Sequence, residues 1–94
     1  MKIKVDDKEI QIRKITYIDK LGLQGEFADV YSKGAENVKQ KDFNILLGNT
    51  AKIAFSDPEV ALKNYDYDFQ LKILTGCMME YLGLSDSSKK ENGD

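Results

Sequence analysis

The stretch Lys2-Ile3-Lys4-Val5-Asp6-Asp7-Lys8-Glu9-Ile10-Gln11-Ile12 holds two short runs in which polar and apolar residues alternate. Period two with β-branched residues at the apolar positions is the pattern of a half-buried strand. Between the runs, Asp6-Asp7-Lys8 places carboxylates where they can bond nearby backbone amides in a tight turn. A β-hairpin is predicted. An isolated hairpin is marginal in water, so the face made by Ile3, Val5, Ile10 and Ile12 has to pack on something.

Outward from the hairpin the period changes to that of helices. Thr16 can accept a hydrogen bond from the amide of Asp19, whose carboxylate also suits the positive end of a helix dipole. The helix that follows is predicted over about residues 17–32. Tyr17, Leu21, Ala28 and Tyr31 fall on one side of it, and Leu23, Phe27 and Val30 widen the apolar stripe. Gly22 and Gly25 each cost about 1 kcal/mol relative to Ala and fit either close packing or a kink. Gly34 is a candidate left-handed stop, and residues 35–41 read as a connector. Asp42 is the next candidate cap, ahead of Phe43, Leu46, Leu47, Thr50, Ala51 and Ala54 at helical spacing. Asp57-Pro58-Glu59 opens a short third helix. Asp66 or Asp68 caps the last one, which carries Phe69, Ile73, Cys77 and Tyr81 on one line with Leu74, Met78 and Leu82 beside it. Gly83-Leu84 has the form of a Schellman stop. The fold class expected is α+β, an N-terminal hairpin packed on three to four helices. It forms a single domain over residues 1–84, followed by residues 85–94, which contain no apolar side chain and are expected to be disordered.

Composition narrows the chemistry. The 94 residues carry 14 Lys plus Arg against 16 Asp plus Glu, a formal net charge of −2, which is too balanced for an obligate nucleic-acid binder. Histidine is absent, removing the commonest general base and metal ligand. The single cysteine, Cys77, rules out an internal disulfide and a thiolate cluster, and its place on an apolar line reads as a buried structural thiol. Asp6 with Asp7, and Asp66 with Asp68, lack the ligand number and bend glycine of a calcium loop and read as turns and caps. Gly22-Leu23-Gln24-Gly25 has neither the spacing nor the strand-to-helix setting of a phosphate loop. Lys33, Lys39 and Lys41 lie beside Glu36 and Asp42 as a solvated loop. No catalytic residue, metal site or cofactor is expected, and the chain is expected not to be an enzyme. The charged N-terminus lacks a secretory h-region and the run from Phe69 to Leu84 is too short and polar to span a bilayer, so no membrane association is expected and the location is expected to be cytoplasmic.

What remains is binding. Tyr65 and Tyr67 lie in a polar turn and are candidates for partner contact; Met78, Met79 and Leu82 form a second group, open to a reading as core or as partner surface.

The run Lys4-Val5-Asp6-Asp7-Lys8-Glu9-Ile10-Gln11-Ile12-Arg13-Lys14-Ile15-Thr16-Tyr17-Ile18-Asp19 resembles the opening of small tail assembly chaperones of long-tailed bacteriophages, in which a hairpin leads into a Leu/Ile-Thr-x-x-Asp helix start. The resemblance extends in outline over the chain. It implies a non-enzymatic phage or prophage protein that coats an apolar helical partner, the tape-measure protein, as an oligomer in the host cytoplasm, with a longer frameshifted form in some members. Coating a long helix uses an apolar stripe and many weak copies. The alternative of equal size and composition is a small phage-encoded inhibitor or adaptor that binds a host protein complex. A helix-turn-helix regulator is disfavoured, because the helices after Asp42 carry only Lys52, Lys63 and Lys72 as cations.

Overall fold

A computed structural model describes residues 1–84; the disorder expected for residues 85–94 lies outside the described residues. In chain order the elements are strands β1 (Lys2–Val5) and β2 (Lys8–Gln11), helices α1 (Tyr17–Val30), α2 (Gln40–Ala54), α3 (Pro58–Leu62) and α4 (Tyr67–Tyr81), with a 3₁₀ turn at Ala35–Asn37 before α2. The predicted α+β architecture is the one observed.

The hairpin is antiparallel, pairing Ile3 with Ile10 and Val5 with Lys8 across a two-residue loop. Asp6 takes φ of 54° there, a left-handed conformation that aspartate tolerates because its short polar side chain bonds locally. Its carboxylate also meets Lys72 Nζ at 3.2 Å. Ile3, Val5, Ile10 and Ile12 are all buried, as the alternation requires.

Caps fix most helix boundaries. Thr16 Oγ1 accepts from the Asp19 amide at 3.1 Å, Asp57 from Val60 at 3.3 Å, and Asp66, not Asp68, from Phe69 at 2.8 Å. Asp42 does not cap α2: the helix starts three residues earlier than such a cap would set, with Lys39 in the cap position and Asp42 in its first turn, where a negative charge still favours the dipole. Gly83 has φ of 74°, its amide donates to the Glu80 carbonyl at 3.1 Å and the Leu84 amide to that of Met79 at 2.8 Å, so α4 does end in a Schellman motif.

α2 is the centre of the packing and touches α1, α3 and α4, while β1 lies against α4. Leu46, Thr50, Ile73, Cys77 and Tyr81 are fully buried at that junction. Thr50 satisfies its hydroxyl by donating to the Leu46 carbonyl one turn back. Gly76 lies under the hairpin; a Cβ there would stand 3.5 Å from Ile3 Cδ1, so a small residue at this point lets the apolar face of the strand settle on the helix. Arg13 ties the parts together. Its amide donates to the Ala54 carbonyl, its guanidinium to the carbonyls of Ile53 (3.0 Å) and Lys52 (2.6 Å), and its own carbonyl accepts from Tyr81 Oη at 2.5 Å. The open C-terminal carbonyls of α2, the end of the hairpin and α4 are thus joined by one residue.

α1 departs from the expected orientation. Of the single apolar stripe expected, Tyr17, Leu21 and Ala28 are exposed, and the helix packs through Leu23, Phe27 and Val30 with Tyr31 just past its end. Both sides of α1 are apolar, so periodicity along the sequence had two solutions. The contact with α2 selected the second.

Candidate interaction surface

Cys77 lies in the interior of α4, and burial pushes its thiol from an ordinary 9.0 up to about 12, only partly offset by a hydrogen bond with its own backbone. No thiolate is present at neutral pH in the folded state, which is the electronic counterpart of its role as a small apolar filler. Tyr81 is raised from 10.0 to about 12 by desolvation, with the neighbouring Cys77 adding to the rise and Arg13 opposing it. Asp6 is engaged with Lys72 and Asp66 with the α4 amide, and no group of three or more His, Cys, Asp or Glu side chains converges among the described residues. Among the described residues no helix is long and apolar enough to cross a membrane.

The five residues singled out for partner contact do not share one surface. Tyr65 is half-buried, its ring 5.1 Å from that of Phe69, with Lys8 Nζ 5.5 Å from the Tyr65 ring centroid and 5.7 Å from that of Phe69. It closes the space between the hairpin turn and the start of α4, and its exposed edge is covered by a cation. Tyr67, two residues on, is 76% exposed. Met78 is 2% exposed and belongs to the core, because the line it shares with Leu74 faces inward; it presents nothing to a partner. Met79 and Leu82 are half-buried against the same core at the opposite end of α4, roughly 20 Å along the helix from Tyr67.

A group of exposed apolar residues lies elsewhere, on α1. At 100° per residue, Tyr17, Ile18, Leu21, Gly25 and Ala28 occupy an arc of roughly 100° centred opposite Leu23. Tyr17 and Ile18 are each 74% exposed and Leu21 45%. A Cβ added at Gly22 or Gly25 would meet no atom within 4 Å. Asp29 and Gln24 flank the arc, and none of the five residues in it is charged. An arc of this width is what a helix normally turns toward a core. The apolar residues of α1, expected to form one wide stripe, fall into two narrower ones facing opposite ways, with Glu26 and Asp29 between them on one side and Lys20 and Gln24 on the other. From Ile18 the surface continues into an open groove toward Asn49, Lys52 and Ile53 of α2. Asn49 Nδ2 there donates to Glu26 Oε2 at 2.7 Å, pinning α1 to α2 at the groove floor.

Comparison with known protein families, curated proteins and solved structures finds no match to this chain.

Proposed function

We propose that this chain is a non-enzymatic binding protein that presents an apolar helix face to an apolar helical partner, in the manner of a phage or prophage tail assembly chaperone acting on a tape-measure protein in the bacterial cytoplasm. The observation that supports this reading is the outward side of α1, where Tyr17 and Ile18 are 74% exposed beside Leu21 on a helix otherwise docked and capped. Exposed aromatic and aliphatic side chains grouped on one rigid element are the ordinary form of a helix-in-groove or helix-on-helix contact. Tyr67, exposed at the head of α4, is a second anchor of the same chemical type. Many copies, each with a modest apolar strip, would hold a long apolar helix through multivalency.

Co-expression with a tape-measure fragment from the same genome, followed by light scattering on the purified material, tests this reading. A mixed complex holding several copies per fragment is expected, and Leu21→Glu should reduce the number retained. A fragment that precipitates or elutes without the chain would overturn the assignment.

A further inference from the structure

We propose that the free edge of β1, with the side of α4 beneath it, takes an extended segment of another protein as an added strand, one that alternates apolar and acidic residues. The site lies on β1 and α4, not on α1, and does not rest on the function proposed above.

The hairpin register fixes which backbone groups are free. In an antiparallel ladder, residue pairs that exchange hydrogen bonds alternate with pairs that do not. The Ile12 amide donates to the Met1 carbonyl at 2.8 Å, so Met1, Ile3 and Val5 turn their backbone groups toward β2. The amides and carbonyls of Lys2 and Lys4 point the other way, and no backbone bond within the described residues uses them. Beneath that edge an open groove runs between Lys4, Val5 and Asp6 on the strand and Leu71, Thr75 and Gly76 on the helix. At 100° per residue, Leu71, Thr75, Met79 and Leu82 share an arc of roughly 80° on this side of α4, and none of the four is charged. Free edge groups beside an apolar strip are the two parts of a strand-addition site: the edge supplies main-chain hydrogen bonds, and the strip receives alternate side chains.

Charge and the pleat together select the occupant. Residues of an added strand opposite Lys2 and Lys4 point to solvent with those lysines, and residues opposite Ile3 and Val5 point down onto the strip. Apolar side chains suit the second set. Acids suit the first: Lys72 is paired with Asp6 at 3.2 Å and Lys2 with Glu9 at 3.6 Å, while Lys4 has no ion pair among the described residues. An opposite charge directly across from a strand lysine is favourable, and a like charge is not. A second copy of β1 is disfavoured on that ground, because antiparallel pairing through the free groups sets lysine against lysine. The last ten residues of the chain contain no apolar side chain to lay on the strip.

The probe is an end-capped peptide of alternating Val and Glu, about eight residues long, titrated into the full isotope-labelled chain and followed by NMR. Saturable binding on the order of tens of micromolar is expected, with hydrogen exchange slowed at the amides of Lys2 and Lys4. Lys4→Glu, a change at an exposed position, should weaken binding about ten-fold, and a peptide of alternating Val and Lys should bind that variant better than it binds the wild type. A shuffled peptide of the same composition should bind at least about ten-fold more weakly, since only alternation puts one residue type on each face. Absence of binding, binding without protection of those two amides, indifference to Lys4→Glu, or equal binding of the shuffled peptide would each overturn the proposal. So would slow exchange at Lys2 and Lys4 in the chain alone, the result expected if a second copy or the chain's own residues fill the edge.

Discussion

α1 and α4 are nearly twins as local structures, with 14 and 15 residues, side-chain N-caps from Thr16 and Asp66 and one acid in the first turn of each. Their tertiary situations differ. α4 lies between α2 and the hairpin and buries Ile73, Cys77, Met78 and Tyr81, whereas α1 packs on α2 and buries only Leu23 to the same degree. A helix with neighbours on two sides spends its apolar residues on the core. One with a single neighbour is left with an apolar side facing water, and that leftover is the candidate interaction surface. Local sequence quality did not separate the two helices; their position in the chain's packing order did.

The sharpest way to break the comparison is to cut a large side chain from each helix. Ile73→Ala should cost about 3–4 kcal/mol in urea unfolding and destabilise the whole molecule, whereas Leu23→Ala should cost nearer to 2 kcal/mol because the edge of the structure can relax around the loss. Amide exchange in the leucine variant should rise mainly along α1, and equal costs with global exchange in both variants would erase the distinction between the helices.

Alkali should attack the α4 side next. In the unfolded chain the Cys77 thiol loses its proton near 9.0 and the Tyr81 phenol near 10.0, while folding holds both up to about 12. The folded state therefore keeps protons that the unfolded state releases. Stability is full below pH 9 and falls as pH rises toward 12. Urea midpoints at pH 8 and pH 10.5 check this, and Cys77→Ala, which removes the thiol that titrates first and the one that raises Tyr81, should flatten the decline.

Tyr81→Phe removes the hydroxyl that donates to the Arg13 carbonyl and should cost about 1–2 kcal/mol in chemical denaturation, since the acceptor is left partly enclosed. On the other helix the expected sign reverses. Gly25→Ala adds a methyl group where no atom stands within 4 Å, and should stabilise the monomer by about 0.5–1 kcal/mol, read as a raised Tm at low concentration. A loss there would mean that the outward face is already occupied by the chain itself. The smallest effect is expected for Lys72→Ala, whose partner Asp6 is about as exposed as the lysine; the change should stay within about 0.5 kcal/mol and shrink with salt.

The sequence by itself determined the elements. Strict alternation through Ile3, Val5, Ile10 and Ile12 has a single solution for which face is buried, because a strand's period of two allows no intermediate orientation. Thr16 and Asp57 determined two helix starts through bonds to amides only three residues away, Asp66 or Asp68 announced a third that the structure assigned to Asp66, and Gly83 determined a helix end through a backbone conformation that other residues resist. Burial of Cys77 followed from a line of apolar neighbours on one side of its helix. Tertiary structure decided whatever depended on a choice between equal alternatives. Tyr17, Leu21 and Ala28 form as good an apolar line as Leu23, Phe27 and Val30, and contact with α2 alone chose between them. Met78 and Tyr67 are similar in local signal, yet one is enclosed and the other stands in water, because Met78 faces the core packed around α4 and Tyr67, the first residue of the helix, does not. Arg13, an unremarked cation in the sequence, became the link between hairpin, α2 and α4 once the chain brought carbonyls 39 and 40 residues away within reach. Local chemistry acts over three or four residues and is legible in order along the chain; the choice of face is made by partners that the order does not reveal.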